Sequence, residues 1–233
     1  MKPDDPAPGA QTARQLAFDL PARALYQRDD FFRSPANAAA LAALDDWRRW
    51  PGGKLVLTGP DGAGKTHLAH IWAAMAGAAM VQARDLAALD LTACTGAAVV
   101  VEDAGRIAGD PAAETALFHL HNLITRGGHL LLTAASPPRD WGLRLPDLAS
   151  RLMAAPVAAL QAPDDALLSA VLVKLFADRQ IAVNATLIQY LIARMDRSIG
   201  AARALVAALD AAALAKGGPV SRAVASEVLA RQD

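Results

Sequence analysis

The sequence predicts an α/β fold with a parallel sheet flanked by helices, followed by a smaller all-helical domain. Three observations predict it. Apolar β-type runs alternate with helical stretches between Lys54 and Thr133. Those runs are continuously apolar rather than alternating, as in strands buried on both faces of a parallel sheet. After Pro163 helical patterns follow one another with short connections, as in a small bundle.

Taken in order, residues 1–14 are rich in Pro, Asp, Gly and Ala without periodicity and read as a disordered tail. At its far edge Gln15-Leu16-Ala17-Phe18-Asp19-Leu20-Pro21 forms a small apolar cluster. From Pro35 to Trp50 the pattern is helical, with Leu41, Leu44 and Trp47 recurring at a spacing of three, until Pro51-Gly52-Gly53 breaks it. A strand follows over Lys54–Thr58 and a helix over Lys65–Ala76. A weak strand is expected at Met80-Val81 and a stronger one at Ala98–Val101, ending in Glu102-Asp103. Asp110-Pro111 supplies an N-cap and first-turn proline for a helix reaching Thr125. The run His129–Thr133 is the next strand, before a loop at Pro137-Pro138. Four helices are then expected, from Asp164 to Arg179, Ala185 to Met195, Ile199 to Leu214 and Ser221 to Arg231. Ile181-Ala182-Val183 is the one β-type interruption. The chain thus divides into a tail (1–21), an α/β domain (22–162) and a helical domain (163–233).

The composition bounds the function. With 233 residues there is enough chain for a sizeable core, and 54% hydrophobic against 20% charged residues is globular. Lys+Arg and Asp+Glu both number 23, a neutral balance that argues against holding nucleic acid by bulk electrostatics. A single cysteine, Cys94, cannot form an internal disulfide and favours a reducing compartment. No apolar run approaches the ~20 residues of a membrane span, and the N-terminus lacks a signal-peptide core. A cytoplasmic protein is expected.

The most informative stretch is Gly59-Pro60-Asp61-Gly62-Ala63-Gly64-Lys65-Thr66, which matches G-x-x-x-x-G-K-[ST] between a strand and a helix. Glycines let the backbone wrap a phosphate chain so that successive N–H groups point inward, and the helix N-terminus adds partial positive charge. Lys65 is expected to reach the β- and γ-phosphates, and Thr66 to ligate Mg²⁺. The plain alternative is a glycine-rich turn that binds nothing. The carboxylates at the end of the Ala98–Val101 strand suit the other half of such a site: Glu102 for Mg²⁺, through its longer arm, and Asp103 for orienting the attacking water. The plain alternative there is a pair of carboxylates in solvent at a strand end.

With these residues in hand the chain resembles the AAA+ family, in its DnaA replication-initiator branch. Leu57 to His70, including Thr66-His67-Leu68, looks like that branch's phosphate loop and helix, the run ending in Glu102-Asp103 like its acidic strand. Leu145-Pro146-Asp147-Leu148-Ala149-Ser150-Arg151-Leu152 looks like the box carrying the arginine finger, and the helical third like the lid. The resemblance covers Leu25 to the C-terminus and implies an AAA+ sheet with a helical lid. It implies binding of ADP or ATP with Mg²⁺ through Gly59, Pro60, Asp61, Gly62, Ala63, Gly64, Lys65, Thr66 and His67. It also implies that Arg151 acts as a finger on a neighbouring subunit's nucleotide; the plain alternative pairs Arg151 with Asp147, one turn away. The chain ends where the lid would end, so no DNA-reading domain is expected after it. Gln15, Leu16, Phe18 and Leu20 resemble the short peptides that bind the DNA polymerase III sliding clamp; the plain alternative folds them back on this chain's own core. The partners implied are that clamp and the DnaA initiator, with a homodimer also admitted and neither membrane nor strong direct nucleic-acid binding. The resulting function is a clamp-bound regulator that stimulates ATP hydrolysis on the initiator and limits re-initiation; the alternative is a stand-alone AAA+ ATPase of replication.

Three departures from the family pattern point to weak hydrolysis by the chain itself. Ala135 falls where a polar sensor residue is expected, leaving Thr133 or Ser136. Gly200 lies near the sensor arginine's place, flanked by Arg197 and Arg203, and Glu102 stands in place of Asp. Other residues read blandly. His119 and His121 are two apart on a helix and make a poor metal pair, while His67 and His70 lack accompanying ligands. Trp47, Trp50, Trp72 and Trp141 read as packing anchors, and Tyr26 and Phe31-Phe32 as candidates for the adenine pocket.

Overall fold

Why the apolar runs become strands is visible in what covers them. The computed structural model describes residues 32–124 and 127–231; the peptide at 15–20, Tyr26 and Phe31 lie outside them. Strands β1 (Lys54–Thr58), β2 (Ala79–Gln82), β3 (Ala98–Glu102), β4 (His129–Ala134) and β5 (Val157–Ala159) form one sheet in the order β2-β3-β4-β1-β5. Every pairing is parallel. Side chains alternate across a strand, so Val56, Val99, Val101, Leu130 and Leu132 enter one core layer. Leu55, Leu57, Val100 and Leu131 enter the other. A strand needed on both faces has no room for a polar alternate residue, which is why β1, β3 and β4 are so legible.

Helices α1 (Ala38–Asp45) and α2 (Lys65–Ala76) cover the second layer, joined by three tryptophans. Trp50 stacks on Trp72 with ring centroids 5.1 Å apart, and Trp47 meets Trp72 edge-on at 6.0 Å. The expectation that the tryptophans anchor packing holds, Trp141 included, since all four are buried. Helices α3 (Pro111–Ile124) and α4 (Pro146–Met153) border the first layer, where Leu117, Leu120, Leu148 and Leu152 are buried. As expected, Asp110 caps α3: its carboxylate accepts from the Ala112 and Ala113 amides at 2.9 and 3.2 Å.

The helical domain comprises α5 (Asp165–Ala177), α6 (Ala185–Ile192), α7 (Ile199–Lys216) and α8 (Arg222–Leu229) around a core of its own. Each begins with a side-chain cap three residues ahead of the amide it accepts from: Asp164, Asn184, Ser198 and Ser221. Two expectations are corrected. Ile181-Ala182-Val183 is not a strand; Ile181 bonds back to the Phe176 carbonyl and packs with Val183 on the helical core. Strand β5, which no sequence pattern announces, is three residues of Val-Ala-Ala held by β1 at the sheet edge. Pairing creates it, because its own β-propensity is low.

Candidate functional site

At the C-terminal ends of the strands the chain turns from β1 into the loop 59–64 and then α2. Gly64 enters α2 in the left-handed region (φ 102°) and offers no side-chain cap, unlike the four lid helices. The first amides of α2 are therefore left for a ligand, as a phosphate site requires. A cleft of about 210 Å³ opens there. One wall is Asp61, Gly62, Gly64, Lys65, Thr66 and His67. The other is Asp103 at the end of β3 with Ile199, Gly200 and Arg203 of α7.

The remaining loop residues shape rather than line this cleft. A side chain at Gly59 would sit 2.8 Å from the Leu160 carbonyl, so only glycine lets the loop pass β5's extension. Ala63 is buried in the core and its amide bonds the Pro60 carbonyl at 3.2 Å. Lys65 is folded into the loop: its ammonium donates to the carbonyls of Gly59 at 2.8 Å and Pro60 at 3.0 Å. Asp61 adds a carboxylate 3.6 Å away. Phosphate oxygens would have to replace these acceptors, an exchange of hydrogen bonds rather than the making of new ones.

Asp103 also adopts a left-handed conformation (φ 55°). Its amide donates to the Thr133 hydroxyl at 3.1 Å, and its half-exposed carboxylate lies 3.4 Å from Arg106. Thr133, the penultimate residue of β4 and 1% exposed, is thus the polar group at this strand end. Glu102 is placed differently from its neighbour: it is buried, Gln82 donates to its Oε2 at 2.8 Å, and its Oε1 has no hydrogen-bond partner. It borders β2 and does not line the cleft.

Between the two arginines left open by sequence, geometry distinguishes roles. Arg203 lines the cleft with its guanidinium 3.3 Å from His67 Nδ1. Arg197 is engaged elsewhere, with Asp165 at 2.7 Å and the Pro163 carbonyl at 3.1 Å.

The lid was expected to lend a sensor arginine; its direct contact with the phosphate loop was not foreseen. The Ile199 amide donates to the Gly62 carbonyl at 2.9 Å, tying the first residue of α7 to the phosphate loop. Gly62 has φ +74°, and a Cβ there would lie 2.2 Å from the Ser198 Cβ. The motif leaves position 62 open, so the extra glycine was the available signal: the lid, not the phosphate pattern, requires it.

Arg151 lies at the other end of the sheet. It is exposed on α4, donates to Asn122 of α3, and sets its guanidinium 4.9 Å from the Phe118 ring centroid. It is not paired with Asp147, the plain alternative. Its charge is felt by Lys54, the first residue of β1, while the phosphate loop follows the last. The strand between them runs about 13 Å, and Arg151 is not among the residues that line the chain's own cleft.

Glu114 holds the approach to α4. This 2% exposed carboxylate accepts from the amides of Gly109 at 2.9 Å, Arg144 at 3.0 Å and Leu145 at 2.7 Å. Burial works to raise its pKa, but the Gly109, Leu145 and Arg144 amides and the Arg144 charge outweigh it and hold the carboxyl below the usual range.

The geometry is matched by solved structures. Domain III of the Thermotoga maritima replication initiation protein DnaA superposes with a TM-score of 0.78 at 18% identity, over 91% of this chain and 97% of that one. The fold is that of an AAA+ module. Aquifex aeolicus DnaA bound to AMPPCP matches at TM-score 0.69 and 14% identity, over 79% of this chain and 65% of the longer initiator chain. A Thermotoga maritima RuvB mutant matches at 0.68 and 16%, over 88% and 71%. No family model matches the sequence. Among the described residues no helix is long and apolar enough to cross a membrane.

Proposed function

We propose that this chain is a regulator of replication initiation of the Hda type, the regulatory inactivator of DnaA. It would bind a nucleotide, ADP by preference, in the cleft of the phosphate loop. The Gln15–Leu20 peptide would attach it to the DNA polymerase III sliding clamp, and Arg151 would stimulate ATP hydrolysis by the DnaA initiator. The observation that carries this reading is that Arg151 is exposed and does not line its own cleft, so its guanidinium would serve a nucleotide on another molecule. There it would stabilise charge on the transferring phosphoryl group, an effect worth ~10³–10⁵-fold in other NTPases. The likeness to initiator AAA+ domains, one of them bound to AMPPCP, supports a nucleotide in the cleft and a setting in replication.

Mg²⁺ fits this reading as a companion of the nucleotide. Among the described residues no group of three or more His, Cys, Asp or Glu is placed to cage a metal. A Mg²⁺ held mainly by phosphates and water takes few protein ligands. Thr66 and Asp103 line the cleft and would face the ion, whereas Glu102, expected as its ligand, is turned toward Gln82 and does not line it. The ion would neutralise phosphate charge.

The reading is tested by a pull-down of the full chain on sliding clamp with and without ADP, beside a variant lacking residues 15–20. Retention that survives the deletion removes the peptide from the proposal. In parallel, Arg151→Ala should abolish stimulation of initiator hydrolysis while leaving clamp binding intact. A second reading, a stand-alone AAA+ ATPase such as an initiator-like, helicase-loader or clamp-loader subunit, draws on Thr133 and Arg203 beside the cleft. Partner-free hydrolysis as fast as that of ordinary AAA+ enzymes would favour it.

A further inference from the structure

The N-terminal rim of the sheet carries a polar chain that nucleotide binding does not use. Lys54 is 7% exposed, and its ammonium lies 3.4 Å from Nδ1 of His121, itself 5% exposed. An ammonium only donates, so Nδ1 accepts and the neutral ring keeps its proton on Nε2. The neighbouring Asn122 side chain favours the protonated His121 ring, as an acceptor beside it would, and Asn122 Oδ1 accepts from Nη1 of Arg151. Donors therefore converge on Asn122, with the buried lysine behind His121 on one side and the guanidinium, itself donor-only, on the other. Burial first, then the charges of Lys54 and Arg151, push the His121 pKa down to about 4, so the ring stays neutral and in one tautomer near pH 7.

The remaining contacts fix the plane. Phe118 and Asn122 are four apart on α3 and share a face, so the ring and the amide hold the guanidinium from two sides. Among the described residues neither Lys54 nor Arg151 has a carboxylate partner. A second buried cation beside an unneutralised arginine is costly for folding but leaves the rim attractive to an anion.

We propose that Lys54 and His121 are positioning residues for Arg151: through Asn122 they hold its guanidinium in one orientation, ready for a phosphate group presented by a second protein. This rests on the reading of Arg151 as a residue acting on a partner's nucleotide, and the test separates the two. The first arm needs no partner. Nitrogen-detected NMR of the Arg151 guanidinium in the full chain should show hindered Nη rotation in the wild type. Averaged signals are expected in His121→Leu and Lys54→Met, and hindered rotation again in His121→Gln, which keeps one acceptor and one donor. The second arm measures initiator ATP hydrolysis against concentration of each variant. The maximal stimulated rate should fall about 10-fold for His121→Leu and Lys54→Met, as for misplaced catalytic groups. The half-saturating concentration should be unchanged, and His121→Gln should stay within about two-fold of wild type. Lys54→Met preserves the apolar stem and serves if His121→Leu fails to fold. Guanidinium signals unchanged by both disruptive variants overturn the inference, as does a loss confined to half-saturation. If Arg151→Ala itself leaves stimulation intact, the partner-directed reading falls, while the NMR arm still decides the positioning.

Discussion

The two ends of the sheet solve similar problems with different materials. At the C-terminal ends of the strands the cleft is made mostly of backbone: the uncapped amides of α2, the Gly62 carbonyl held by α7, and a lysine resting on two carbonyls. At the N-terminal rim the cationic cluster is made of side chains, Lys54, His121, Asn122 and Arg151, drawn from β1, α3 and α4. Backbone sites demand particular φ values and therefore glycines at fixed spacing, which leaves a contiguous motif. Side-chain sites demand only that distant elements meet, and leave none.

Substitutions at the two ends should therefore act separately, the largest effect falling at the rim. Glu114→Ala strips a buried acceptor from three amides and should cost about 3 kcal/mol of folding stability in urea unfolding. It should disturb the rim more than the cleft, so nucleotide affinity measured on the folded protein should change little. At the cleft, Lys65→Ala should weaken ADP binding about 100-fold by calorimetry, roughly 2.7 kcal/mol, with Arg151 signals unaffected. Gly62→Ala forces an unfavourable φ and a clash with Ser198; a loss of about 1–2 kcal/mol is expected. Adding Ser198→Gly should return only part of it, since the φ +74° strain remains. Smallest is a pH effect at the rim. The folded His121 pKa, about 4, lies below its ordinary 6.5, so the unfolded chain binds the extra proton first. The stability held above about pH 6.5 should therefore drain away as pH falls toward 4. A flatter Tm profile over that window is expected for His121→Gln; an unchanged one would place the pH sensitivity elsewhere. His129, lowered by burial and by Arg48, shifts in the same direction and would remain as background.

Much of the fold was legible. β1 and α2 lie over Lys54–Thr58 and Lys65–Ala76, as the apolar runs and the phosphate motif required. The lid helices are near their expected bounds because their helical patterns are local, and the structure adds side-chain caps at Asp164, Asn184, Ser198 and Ser221 that fix their starts. β5 was not legible, because Val-Ala-Ala becomes a strand only when β1 offers its edge. Ile181–Val183 misled for the converse reason: apolar β-branched residues can be spent on a helical core without any strand partner. At the site, Arg197 and Arg203 were equivalent in sequence, since either falls near the start of a helix. Only the seating of α7 on the phosphate loop sends Arg203 to the cleft and Arg197 to Asp165.

By itself, then, the sequence determined the phosphate loop, the buried strands and the helical lid, because periodicity, capping and glycine spacing act over a few neighbouring residues. Tertiary structure alone decided that Gly62 answers to the lid, that Glu102 turns toward Gln82 while Asp103 faces the cleft, and that a buried lysine and histidine stand behind Arg151. Those outcomes depend on contacts between residues far apart in the chain, where distance and burial, not order, choose the partners.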